Sequence, residues 1–425
     1  MRFGHRFGNR IYRVTALVVF LAAIQAAAET HWVGSWAASQ QLVEPRNALG
    51  QDDLRDCTLR QIVHLSLGGA RIRVHLSNRF GTVPLRFVSV HVARAIAPSS
   101  SKIETASDKA LTFSGSADVT IPAGADYVSD PVDFRAAPFA DIAISIYVET
   151  PPSEETGHPG SRATSYVLHG NHVSEAELGE AKKVEHWYFI SGIDVAAPAD
   201  AAAVVTLGDS ITDGHGATTD ANNRWPDVLA KRLQASDPTR EIAVLNHGIG
   251  GNRVLLDGIG PNALARFDHD VLAQPGARYL IVLEGINDIG TLSREHEVPA
   301  AEHDGLVRHI EAAYEQMIAR AHTHGMKVFG ATILPFVGSG YYHPGSAAEA
   351  DRQAINAWIR TGHFDAVIDL DKVTRDPEHP EQLKTAFDSG DHLHPSPEGY
   401  EAMANAIPLS LFTANNRAAH HAVRK

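Results

Sequence analysis

Val204-Val205-Thr206-Leu207-Gly208-Asp209-Ser210-Ile211-Thr212-Asp213-Gly214 is the stretch that decides how this chain is read. A short apolar run stops abruptly at Gly208-Asp209-Ser210. The run has the character of a buried strand, and the triplet that of the turn at its C-terminal end. In open α/β sheets, ligands bind outside the carboxyl ends of the strands. A serine in that turn faces substrate and is backed by a rigid sheet. Alone, the tripeptide is an ordinary turn or helix cap. Its meaning depends on whether the chain also supplies a base, an orienting acid and oxyanion donors.

Downstream, strand-like and helix-like patterns alternate. After Ala203–Leu207 come strands at Ile242–Leu245, Tyr279–Leu283, Lys327–Thr332 and Ala366–Leu370. Between them, helical spacing covers Arg224–Leu233, Ala263–Leu272, Ala300–His324 and Ala347–Arg360. A last helix starts near Ser396, with Ser396 as N-cap and Pro397 at the first helical position. Five strands alternating with helices predict right-handed crossovers and a parallel, three-layer sheet.

Upstream, from about His31 to Val195, the period is close to 2. Ile72, Val74 and Leu76 share one face of a run whose other face is Arg71, Arg73 and His75. Ile142, Ile144, Ile146 and Val148 alternate likewise. The alternation predicts strands with one face in a core and one in water. Many short strands with regular turns suggest an all-β sandwich of jelly-roll type. Trp32, Trp36 and Trp187 are candidate sugar-stacking platforms, with burial in the core as the plainer alternative. The expected division is 1–28 signal peptide, 29–197 β-sandwich, 198–412 α/β domain and 413–425 flexible tail.

The first 28 residues read as a secretory signal. Arg2, Arg6, Arg10 and Arg13 precede an apolar Val14–Ile24 stretch, and Ala26-Ala27-Ala28 fits a cleavage site after Ala28. The apolar core is shorter than the ~20 residues of a spanning helix. No later stretch reaches that length, so the mature protein is expected to lack a membrane span and to be periplasmic or secreted. Cleavage takes the formal charge from −13 to −17. So acidic a surface argues against nucleic acid as the partner. Cys57 is the only cysteine, so no internal disulfide can form and the fold must rest on its core.

Polar blocks follow successive strands: Gly208-Asp209-Ser210, Asn246-His247-Gly248-Ile249-Gly250-Gly251-Asn252, and Glu284-Gly285-Ile286-Asn287-Asp288. Asp391-His392-Leu393-His394-Pro395 precedes the last helix. In order, these resemble the four blocks of the SGNH hydrolases of the GDSL esterase/lipase superfamily, over about residues 200–410. The resemblance implies a flavodoxin-like three-layer α/β/α domain and a serine ester hydrolase. It does not imply a substrate. The Gly-x-Ser-x-Gly elbow of α/β-hydrolases is absent, because position 212 is Thr.

Residue chemistry supplies the roles. Ser210 is the candidate nucleophile, and a serine hydroxyl needs a base to take its proton. His394 is that base, and Asp391, three residues earlier, fixes its tautomer. The backbone N–H groups of Ser210 and Gly251 and the amide of Asn287 are the candidate oxyanion donors. Phe336, Tyr341 and Tyr342, on the loop after the fourth strand, are candidate substrate-binding residues. Asp209 and Asp288 are expected to hold the loops, and His247 to be structural. His392 and His394 as a metal pair is the weaker alternative, since no local signature supplies a third ligand. The expected reaction is cleavage of a small-molecule or carbohydrate ester through an acyl-enzyme, without metal or organic cofactor. The sequence leaves acyl length, alcohol and oligomeric state open. A glycan-binding protein using the hydrolase fold as scaffold, or a lipase or lysophospholipase, are the alternatives.

Overall fold

The apolar runs of the second half form one five-stranded parallel sheet. Its order is Ile242–Gly248, Ala202–Gly208, Ala277–Leu283, Lys327–Ala331, Ala366–Ile368, with every pairing parallel. In chain order this is 2-1-3-4-5, the flavodoxin-like arrangement. The first crossover steps one way across the sheet and the later ones step the other. Right-handed connections therefore put the helices on opposite faces. Trp225–Gln234 packs with Pro397–Ala406, and Ala300–Thr323 with Ser346–Arg360. Ala202–Gly208 is buried along its whole length, as a central strand covered on both faces must be. Ser396 caps the last helix, its hydroxyl accepting from Gly399 N–H at 3.2 Å.

The computed structural model describes residues 30–413, with Met1 and Gly4; the signal-peptide pattern and nearly all of the 413–425 tail lie outside the described residues. Among the described residues, no helix is long and apolar enough to cross a membrane.

The first half is built of antiparallel strands. One sheet sets Trp32–Ala37, Ile190–Ala196, Gly69–Ser77 and Val132–Ala136 side by side. A second runs Lys182–Val184, Ser165–His169, Cys57–His64, Asp141–Val148, Ser89–Arg94, Lys109–Ala110, and two smaller sheets join Trp187–Tyr188, Thr156–His158 and Gln41–Leu42, and Leu85–Phe87 with Val119–Ile121. Ile72 and Val74 of the first and Leu59 and Ile144 of the second enter one buried core.

The wet outer face that the alternation predicts is missing from the centre of the second sheet. Cys57–His64 and Asp141–Val148 are buried on both faces. Ile62, Ala93, Ala143 and Tyr166 form a second cluster there with Ile103 and Leu178, from connecting segments folded back over the sheet. Buried Arg60 holds those segments down, donating to Ser145 Oγ and to the carbonyls of Ser101, Val173 and Glu175. A buried guanidinium is tolerated because its N–H groups are used on polar acceptors. Burial, then nearby Asp53 and Asp56, pushes the Cys57 thiol up to about 12, which leaves it unreactive.

From His31 onward the two halves make a single compact unit. Trp32–Ala37 lies against the Ile242–Gly248 edge. Gly34 N–H donates to Pro275 O at 2.9 Å, and Val244 N–H to Ser66 Oγ at 3.0 Å. A Cβ on Gly34 would sit 2.9 Å from Leu245 Cδ1, so a larger residue there would have to push that side chain aside. Trp36 and Trp187 are buried and meet edge to face at 4.9 Å. Arg73 covers Trp32 at 4.7 Å. Trp36 and Trp187 are therefore core residues, not open sugar platforms.

Candidate active site

The crossovers diverge between Ala202–Gly208 and Ala277–Leu283, and at such a switch point a crevice opens beyond the strand ends. Ser210 follows the first of these strands and Asn287 the second. Asp209 turns the chain there, its Oδ1 accepting from Ile211 N–H at 2.9 Å, and Ser210 opens the short Ser210–Asp213 helix.

Ser210 Oγ lies 2.8 Å from His394 Nε2, and His394 Nδ1 lies 2.6 Å from Asp391 Oδ2. An ionised carboxylate only accepts, so the proton sits on Nδ1 and Nε2 is free to accept from the serine. Asp391 Oδ1 also accepts the backbone N–H groups of Leu393 and His394, at 3.0 and 2.8 Å. Burial alone would raise Asp391, but the His394 imidazole and these N–H groups hold its carboxyl well below the usual range. The i, i+3 spacing works because Gly390 and His392 take left-handed backbone, tied to Asp388 Oδ1. The same Asp388 binds His392 Nδ1 at 2.6 Å.

The three candidate oxyanion donors share one cavity with Ser210 and His394, of about 1030 Å³. Gly251 has φ +74°, which glycine adopts freely. Among the described residues, neither Ser210 N–H nor Gly251 N–H has a protein acceptor. Asn287 is held at both ends: Tyr342 O–H donates to Oδ1 at 2.6 Å, and Nδ2 donates to Asn252 O at 2.7 Å. That fixes which way the amide faces and leaves its second N–H unused. Asp288 holds the neighbouring loop by accepting from Val254 and Leu255 N–H, at 2.8 and 3.0 Å.

Of the candidate substrate-binding residues, Tyr341 and Tyr342 line the cavity. Tyr341 is exposed, and Arg294 lies over its ring at 5.2 Å. Tyr342 is almost wholly buried and serves Asn287. Phe336 is fully buried and packs against Tyr342, ring centroids 6.3 Å apart, instead of reaching the cavity. It stands close behind the fourth strand, where the chain is still in the core.

Sequence reasoning did not single out three residues beside Ser210, Asp391 and His394. His215 lies with its ring centroid 4.1 Å from that of His394 and its Nε2 3.9 Å from Asp391 Oδ2. Arg162, from the first half, approaches His215 Nδ1 at 3.2 Å. The arginine is a donor, so Nδ1 accepts and the His215 proton sits on Nε2, toward Asp391. Partial desolvation, then His394 and Arg162, pushes His215 down to about 4. His158, also from the first half, reaches Asp213 behind the serine. The polar, Gly/Pro-rich run Thr156-Gly157-His158-Pro159-Gly160-Ser161-Arg162 is the local signal, but only the fold brings it over the second half. His215, Asp391 and His394 bring candidate metal-ligand atoms within 4.8 Å of one another. Both His394 nitrogens are already committed, and the Arg162 cation faces His215.

Buried Arg266 ties the strand ends together. It donates to Gly208 O, His247 O and Asn252 Oδ1, and to Asp270 and to Ser39 of the first half. His247 Nδ1 lies 3.0 Å from Ser39 Oγ, inside this structural network.

Residues 206–402 match the model of the GDSL-like Lipase/Acylhydrolase family. Among solved structures, a lipolytic protein of the G-D-S-L family from Desulfitobacterium hafniense DCB-2 is 24% identical, over 48% of this chain and 96% of that one, with a TM-score of 0.36. A lipase/acylhydrolase from Enterococcus faecalis is 22% identical over 48% and 92%, TM-score 0.36. An acetyl xylan esterase from Geobacillus stearothermophilus is 22% identical over 48% and 92%, also at 0.36. No curated protein matches the chain.

Proposed function

We propose, from the membership of residues 206–402 in the GDSL-like lipase/acylhydrolase family, that this hydrolase cleaves carboxylic esters through an acyl-Ser210 intermediate. The hydrogen-bonded line Ser210–His394–Asp391, open to one cavity, carries the reading. Ser210 Oγ attacks the ester carbonyl carbon while its proton passes to His394 Nε2. The oxyanion forms between Ser210 N–H, Gly251 N–H and the unused N–H of Asn287. His394 returns the proton to the leaving oxygen, the alcohol departs, and the acyl group stays on Ser210. Water then repeats the sequence and releases the acid. Asp391 keeps the imidazole in the required tautomer throughout.

Short acyl groups, acetyl above all, on a carbohydrate are the favoured substrates. The cavity is broad, its walls come from both halves, and polar side chains such as Gln41, Asn47 and Thr291 line it. Export follows from the residue 1–28 pattern. One observation favours a second reading, a lipase or lysophospholipase. An apolar groove of about 670 Å³, lined by Leu255, Leu256, Leu292 and Leu306, adjoins the cavity at Arg253 and Thr291.

A serine-directed phosphonate and a panel of p-nitrophenyl esters and acetylated sugars test the proposal. Labelling at Ser210 with a steep loss of rate beyond acetyl supports the first reading. Labelling with retained rate on long chains supports the second. No labelling and no turnover would leave a glycan-binding scaffold.

A further inference from the structure

The cleft has a charge that the chain as a whole does not share. The sequence carries a formal −13. Yet Arg46, Arg162, Arg253 and Arg294 all line the cavity. Its carboxylates are spoken for: Glu44 pairs with Arg46 at 3.2 Å, Asp213 with His158 at 2.9 Å, and Asp391 with His394 at 2.6 Å. Arg294 has Glu295 at 2.9 Å. Among the described residues, Arg162 and Arg253 have no carboxylate within 4.0 Å.

Arg162 stands on a particular side of the reaction. His394 Nε2 must protonate the leaving oxygen, so the alcohol half departs over His394. Next to His394 is the His215 ring, and next to that is Arg162. Arg162 donates from Nε to Gly214 O at 3.2 Å and from Nη2 to His215 Nδ1 at 3.2 Å. A guanidinium has five N–H groups, so three remain for a ligand. Their planar fork fits a carboxylate better than an ammonium would.

We propose that the alcohol half of the natural ester carries a negative charge, as an acetylated hexuronate does, and that Arg162 reads it. The inference rests on the serine-esterase reading above. It gives the antiparallel half a direct part in choosing substrate. Because the protein's overall field repels anions, the selection is local to the cleft and screened by salt.

Three aryl acetates test this: 3-acetoxybenzoate, its neutral methyl ester, and the cationic (3-acetoxyphenyl)trimethylammonium. Each kcat/KM is divided by that ester's rate with imidazole, a neutral nucleophile, which removes electronic differences without adding a charge effect from the reference. The anion should exceed the cation by about tenfold or more at low ionic strength, and the ratio should shrink as salt rises. Arg162→Gln should bring the ratio to within about threefold of unity, and Arg162→Lys should keep much of it. Arg162 has φ +50°. That strain is the same for Gln or Lys, so the variants compare alike. The ratio is taken within one protein, so a general loss of activity cancels. A ratio near one in the wild type, or one that Arg162→Gln leaves unchanged, overturns the inference. If even the neutral ester is not cleaved, the esterase reading fails and this inference with it.

Discussion

His158 Nε2 lies 2.9 Å from Asp213 Oδ1, and both side chains are almost wholly buried. The histidine comes from the antiparallel half and the aspartate from the turn that carries Ser210. The other ring nitrogen meets Ser39 O at 2.8 Å. The other carboxylate oxygen accepts from Gly250 N–H at 3.1 Å. His158 is thus a positioning residue: through Asp213 it sets the loop that presents Gly251. Removing it leaves a buried carboxylate short of a partner, which typically costs about 3–5 kcal/mol. His158→Ala should lower both Tm and kcat, the latter by about tenfold or more, with little change in KM. His158→Gln, which keeps a donor, should recover part of kcat. Steady-state kinetics decide: a change confined to Tm would make the pair purely structural.

Ser210→Ala should lower turnover by more than about 10³-fold while the protein stays folded. Near-normal kcat/KM in a folded variant would remove Ser210 from the chemistry. Circular dichroism beside the assay separates the two cases.

Tyr342→Phe deletes the hydroxyl that orients Asn287. The expected loss in kcat is about tenfold, the worth of one hydrogen bond of about 1–1.5 kcal/mol. Asn287→Ala should cost about 10²–10³-fold. In the double variant the two losses should not add, because Tyr342 acts only through Asn287. Additive losses would mean that Tyr342 contacts substrate directly.

Glu284 sits fully buried under the site, and both its carboxylate oxygens lack a hydrogen-bond partner. Burial, then the charge of Asp209, holds its carboxyl well above the ordinary value. A carboxyl with a raised folded pKa keeps its proton longer in the folded state. Stability is therefore lost as pH rises from about 4 through the folded value. Glu284→Gln removes that ionisation. The variant's advantage over wild type should grow as pH rises from 5 to 8. Denaturant unfolding at several pH values measures the difference, in which the histidine contributions cancel. A difference independent of pH would show that Glu284 does not titrate in this window.

Much of the α/β half is legible in the sequence, because its strands are short, mostly apolar and end sharply in polar blocks. Ser210, Gly251, Asn287, Asp391 and His394 stand where such ends fall, and the structure brings them to one cavity. The Ile286–Leu292 helix was hidden in the third block. It is two turns long, opens on left-handed Gly285 and contains Gly290, a poor helix former. Gly290 is there because the Tyr342 ring fills the space of a side chain. Phe336 reads as a loop aromatic until the depth of its strand end is known. His158 and Arg162 lie about fifty residues before Ser210, in a polar, Gly/Pro-rich run whose composition alone does not mark a site. Their significance comes from three-dimensional closeness, which periodicity does not encode.

Gly160 has a further consequence. A Cβ there would collide with the Asp213 carboxylate, so the two halves meet at the turn that carries Ser210 with no room for even a methyl group. The antiparallel half is therefore not an accessory that recombination can exchange at will. A foreign sandwich spliced ahead of residue 198 would need a glycine and a histidine at matching heights behind that turn. Exchanging one half alone would leave Asp213 without His158 and the turn that carries Ser210 unsupported.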